Sequence, residues 1–100
     1  MIRINSQKTD ACNNLANVLF AQGKLDKAVL HYKEAIRINP EYAKTHYHLG
    51  KMLMNQKKLK EAIFHFAETI RTTPDYAEAY NKIGFILAEQ GKYKKAKLFF

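Results

Sequence analysis

Four histidines and one cysteine are the side chains in this sequence best suited to ligate a metal or attack a substrate, and their spacing decides whether they could. A helix presents two ligands on one face when they stand three or four residues apart. His46 and His48 stand two apart and point to different faces, and His31 and His65 are about 34 residues apart. All four read as surface or packing histidines, with no metal expected. Cys12 is the only thiol, which excludes an intrachain disulfide and a multi-thiolate zinc site. With no cationic cluster beside it in sequence, it reads as a small buried residue rather than a reactive thiolate. No nucleophile elbow, phosphate-cradling glycine loop or paired metal motif is present. The sequence therefore points away from an enzyme, and no cofactor is expected.

What remains is recognition chemistry, and the charge narrows it. The formal net charge of +8 comes mostly from lysines scattered along the chain, the pattern of a solvated basic surface. Such a surface attracts acidic peptides. Nucleic acid is disfavoured, because structured modules for it prefer arginine with aromatic platforms. No stretch approaches the ~20 apolar residues of a membrane span, and residues 1–8 lack the apolar core of a secretory signal. A soluble segment is expected, with the cytoplasm as its compartment.

The elements that position these residues recur. Ile36-Arg37-Ile38-Asn39-Pro40-Glu41-Tyr42-Ala43 is echoed about 34 residues later by Ile70-Arg71-Thr72-Thr73-Pro74-Asp75-Tyr76-Ala77. The same offset links Leu15, Leu49 and Ile83; Leu19, Leu53 and Leu87; Leu25, Leu59 and Tyr93; and Ala28, Ala62 and Ala96. Apolar residues within each unit follow a three-four rhythm, as in Leu25, Ala28, Val29, Tyr32, Ala35 and Ile36, which is helical rather than strand-like. Gly23-Lys24 and Gly91-Lys92 mark turns between paired helices, since glycine takes the left-handed conformation that ends a helix. Lys57 stands at the matching place of the second unit, so that turn is expected to be slightly strained or closed by a different geometry, since positive φ costs a residue with a side chain more. Pro40 and Pro74 close the first two pairs. These signals predict helices over 9–22, 25–38, 43–56, 59–72, 77–90 and from 93 onward. Ala16, Gly50 and Gly84, with Ala28, Ala62 and Ala96, are expected to let paired helices approach closely.

On these positions the chain resembles the tetratricopeptide repeat (TPR) family. The first unit offers Cys12, Leu15-Ala16, Leu19, Gly23, Ala28, Tyr32, Ala35 and Pro40. The second offers His46, Leu49-Gly50, Leu53, Lys57, Ala62, Phe66, Thr69 and Pro74, and the third Tyr80, Ile83-Gly84, Leu87, Gly91, Ala96 and Phe100. The resemblance implies an all-α, right-handed superhelix (an α-solenoid) of antiparallel helix pairs, about two and a half units long. Residues 1–8 form a lead, 9–42 and 43–76 are complete units, and 77–100 is a unit cut short in its second helix. The chain then reads as part of a longer array. Ile83, Leu87, Phe99 and Phe100 are expected to leave an apolar strip at that end, open to self-association into a homo-oligomer.

The resemblance also implies a function: a protein-protein interaction scaffold that holds an extended peptide in the groove lined by the first helix of each pair. That wall is expected to present Asn13, Asn14, Asn17 and Phe20, then Tyr47, His48, Lys51 and Met54, then Asn81, Lys82 and Phe85, with Glu89 as a further candidate. Amides suit a peptide backbone, lysines suit acidic side chains, and aromatics and methionine suit apolar anchors. Family members that bind chaperone tails clamp a carboxylate with lysine, asparagine and arginine. Here those places hold Asn13 and Asn17, His48, and Glu78 and Lys82, so that specificity is not expected. The alternative is a substrate-presenting repeat domain of a larger enzyme such as a glycosyltransferase.

Overall fold

The computed structural model describes the backbone of residues 2–99 and the side chains of residues 7–91. Helices α1 (Ile2–Ala21), α2 (Leu25–Ile38), α3 (Ala43–Asn55), α4 (Leu59–Thr72) and α5 (Ala77–Phe99) follow one another, with no strand among the described residues. The α1–α2 and α3–α4 pairs are stacked into an α-solenoid of TPR units, 56 Å in its longest dimension.

Local chemistry explains the punctuation. Asp26 and Glu61 stand in the first turns of α2 and α4, and Arg37 and Arg71 in their last turns, each complementing the helix dipole. Past Pro40 and Pro74 the chain turns the same way twice: Tyr42 N–H donates to the Asn39 carbonyl and Tyr76 N–H to that of Thr73. Arg71 then ties α4 to the α2–α3 loop by bridging Glu68 and Glu41.

The two helix-reversing turns share one geometry. Lys24 N–H reaches back to the Leu19 carbonyl and Lys58 N–H to that of Leu53, both at 2.9 Å, the long-range bond of a Schellman motif. The left-handed residue is Gly23 (φ 78°) in one and Lys57 (φ 65°) in the other, so of the two expected outcomes at Lys57 the turn keeps its geometry. Lys57→Gly is expected to stabilise the fold by about 0.5–1 kcal/mol, read as a higher urea midpoint at unchanged slope. No gain would show that Lys57 bears no strain.

Each pair buries its small and aromatic residues together. Ala16, Ala28, Tyr32, Ala62 and Phe66 have no solvent exposure, and Leu49, Met52 and Leu53 join them in the core. The Phe66 ring lies directly over Gly50: a Cβ added there would sit 2.7 Å from Cε1. His46 is buried too, its Nε2 2.8 Å from the Pro40 carbonyl and its Nδ1 3.1 Å from Nδ1 of His65.

Three expectations need correction. Helix α1 extends to Ile2, so the lead before Thr9 is helical. The helices expected over 77–90 and from 93 are one helix, and no turn forms at Gly91-Lys92. Continuing a helix through glycine costs only about 1 kcal/mol relative to alanine, and every residue added keeps its ladder hydrogen bond. A turn there would be favoured only by what the following segment buried on folding back. Because that segment runs straight on, Gly84 has no neighbour within 4 Å of its would-be Cβ, and the close approach seen at Gly50 is missing. Leu87 is exposed as expected and Ile83 is half-buried. The side chains of Tyr93, Ala96, Phe99 and Phe100 lie outside the described residues.

Candidate functional site

Residues of the first helices of the pairs, α1 and α3, together with α5, line a groove of about 380 Å³. Its lining comes from all three: Phe20 on α1, Lys51, Met54 and Asn55 on α3, Lys57 in the turn, and Lys82 and Phe85 on α5. Repeat geometry accounts for the convergence. Phe20 and Met54 occupy the same position in successive units, as do Lys51 and Phe85, so stacking the units aligns them along one wall. A second recess of about 220 Å³ continues from it past Met54, Lys57 and Phe85 to Leu59, Ile86 and Glu89.

Five of the eleven residues expected in the groove thus meet in one place: Phe20, Lys51, Met54, Lys82 and Phe85. Asn17 and His48 lie nearby in a polar and aromatic cluster. The Tyr32 hydroxyl donates to Asn17 Oδ1, and His48 stacks on the Tyr32 ring (6.5 Å between centroids) with its edge toward Tyr47 (5.7 Å). Burial pushes the Tyr32 hydroxyl up to about 12. Burial, then the charges of Lys51 and Lys44, push His48 down to about 4. Both are therefore neutral near pH 7, and His48 offers an uncharged imidazole. Lys51 Nζ lies 5.3 Å from the centre of the Tyr47 ring, a cation–π contact that holds the ammonium over the wall.

Asn13 and Tyr47 do not line the groove. They are the same position of successive units, and it turns inward: Asn13 is buried, and Tyr47 packs on Phe66 (5.8 Å) and Tyr76 (5.2 Å). A step of about 100° per residue separates an inward from a groove-facing position, which a count along the sequence does not resolve. Asn14 and Asn81 are exposed and outside the groove lining. Asn55 and Lys57 were missed as lining residues. Lys57 was visible only as a turn residue, and its positive φ is what carries its chain beside the groove.

Elsewhere, Cys12 is half-buried rather than enclosed. It borders a cleft of about 540 Å³ with Lys8, Ala11, Glu34, Arg37 and Ile38, and the Arg37 guanidinium there is engaged by Glu34. Among the described residues no three metal-ligating side chains come together, and no helix is long and apolar enough to cross a membrane.

Comparison with known proteins agrees with this architecture. The chain is similar to the crystal structure of MamA, with a TM-score of 0.82 and 26% identity over 93% of this chain. It spans about half (54%) of the MamA chain. No curated protein sequence matches it. The TPR repeat family model matches twice, over residues 16–57 and 50–91, two windows that start at equivalent positions of successive units. Covering most of the chain, and agreeing with the paired helices, the Gly50–Phe66 packing and the proline-closed units, that match makes this protein a member of the TPR repeat family, whose repeats generally mediate protein-protein interaction.

Proposed function

We propose that the chain holds an extended segment of a partner protein across α1, α3 and α5, with bulky apolar side chains between Phe20, Met54 and Phe85 and acidic side chains on the lysines. One observation carries this reading: the lining of the groove is three apolar side chains, three lysines and an amide, with no carboxylate among them. Apolar anchors supply contact area and the lysines supply sign, with Glu89 lying in the adjoining recess. Asn55 offers a donor and an acceptor to a peptide backbone. The chemistry is that of recognition without reaction.

Selection of random displayed peptides on the protein tests the reading. Acidic peptides with aromatic or large aliphatic residues are the expected winners. Lys51→Glu with Lys82→Glu is then expected to weaken those peptides roughly tenfold or more, with helicity unchanged, since neither lysine is in the core. Selected peptides that bind the doubly reversed protein as well as the original would refute it.

A further inference from the structure

The cleft beside Cys12 is the open counterpart of a seat that the chain fills one unit later. Cys12, Glu34 and Arg37 stand where the second unit has His46, Glu68 and Arg71. There the α2–α3 loop occupies the seat: the Pro40 carbonyl accepts from His46 Nε2 at 2.8 Å, and the Glu41 carboxylate lies 2.8 Å from Nη2 of Arg71. Arg71 holds Glu68 through Nε and Nη2 and still reaches Glu41 through Nη1 and Nη2. One guanidinium thus serves a carboxylate of its own helix and a second one on the loop.

The first unit keeps the guanidinium and lacks the loop. Ser6 and Gln7 take the places of Pro40 and Glu41, and both lie in the unbroken helix α1. A proline would bar its predecessor from helical geometry and turn the backbone into a loop, and none stands there. Glu34 takes Nε and Nη2 of Arg37, the pairing Glu68 makes with Arg71, and no second carboxylate meets Arg37 among the described residues. What remains is the cleft of about 540 Å³, in which Lys8 and Arg37 accompany one carboxylate, and Ala11 and Ile38 add apolar wall in the places of Thr45 and Thr72. The Arg37 side chain is 71% exposed, so a ligand can reach it.

We propose that this cleft is a second recognition site, separate from the groove, for a partner's extended segment in which a proline precedes an acidic residue. The acidic side chain takes Arg37 beside Glu34, as Glu41 takes Arg71 beside Glu68, and Lys8 adds a second positive charge. The proline ring rests on Ala11 and Ile38 and keeps the segment from running on as a helix, as Ser6 and Gln7 do. The occupant is identified twice over: by the Pro40-Glu41 step that the molecule already seats in the matching place, and by the excess of cations over carboxylates in the lining.

The probe is a capped hexapeptide that copies the loop, Ile-Asn-Pro-Glu-Tyr-Ala, added to the full chain, with a second peptide carrying Gln in place of Glu. Backbone amide shifts are expected at Ala11, Cys12, Arg37 and Ile38, with Phe20, Met54 and Phe85 in the groove unmoved. The glutamine peptide is expected to bind roughly fivefold or more weakly. Cys12 is the only thiol and borders the cleft, so its alkylation is expected to slow when the glutamate peptide is bound. Arg37→Glu is expected to abolish the shifts, while Lys60→Glu, an equal change of charge at an exposed site on α4, keeps them. Equal binding of the two peptides, shifts confined to the groove, or no shift at millimolar peptide would each overturn the proposal.

Discussion

Gly50→Ala is expected to destabilise the protein by about 1–3 kcal/mol, although alanine is the better helix former. The added Cβ would lie 2.7 Å from Phe66 Cε1 and 2.9 Å from Cδ1, distances at which something must move. Phe66 is not free to do so: it has no solvent exposure and packs against Tyr47. Overpacking therefore outweighs the gain in helix propensity of about 1 kcal/mol. The control is the equivalent glycine. Gly84→Ala meets nothing within 4 Å and is expected to be neutral or to stabilise by up to about 1 kcal/mol. Urea denaturation followed by circular dichroism measures both. A double-mutant cycle assigns the cause, because in a Phe66→Leu background the cost of Gly50→Ala is expected to shrink. An equal cost in both backgrounds would place the conflict somewhere other than the ring.

Acid is expected to destabilise the fold well before its carboxylates titrate. His65 is pushed down to about 4, first by burial and then by the neighbouring His46, and His48 is pushed down to about 4 by burial and by Lys51 and Lys44. Each folded value lies below the ordinary 6.5, so the unfolded chain takes up the proton first. The stabilisation is full above about pH 6.5, is lost as pH falls from there through about 4, and changes no further below that. Both rings keep some contact with water, which reduces the combined effect to on the order of 2 kcal/mol. The hydrogen bonds fix the tautomers of the pair. The Pro40 carbonyl can only accept, so His46 carries its hydrogen on Nε2, leaving Nδ1 to accept from His65 Nδ1–H. Melting temperature against pH is expected to fall between 6.5 and 4, with a shallower fall for His65→Gln. A flat profile across that range would contradict both assignments.

Much of this fold is legible in the sequence because repetition supplies its own check. The expected helices over 25–38 and 59–72 coincide with α2 and α4, each bracketed by a turn and a proline. What failed is instructive in a pair of turns. Gly91-Lys92 has the residues of Gly23-Lys24 and forms no turn, whereas Lys57 lacks the glycine and forms one. Glycine lowers the cost of reversing a helix, but the reversal is driven by what the next helix buries: Phe66 packs on Gly50 in one case, while Gly84 meets nothing within 4 Å in the other. A local signal cannot report that long-range term. The unit offset aligned Phe20 with Met54 and Lys51 with Phe85, but whether a position faces inward or along the groove depends on how neighbouring units rotate against each other. Asn13 and Tyr47 fell on the inward side for that reason.

The groove as a binding surface is tested most directly by the backbone amide spectrum of the protein as a selected acidic-apolar peptide is added. The account predicts that the largest shifts fall at Phe20, Lys51, Met54, Asn55, Lys82 and Phe85, on three helices at once, while Leu30 and Phe64, exposed on α2 and α4, stay still. Shifts centred on α2 and α4, with the groove residues unmoved by a peptide that binds, would contradict it.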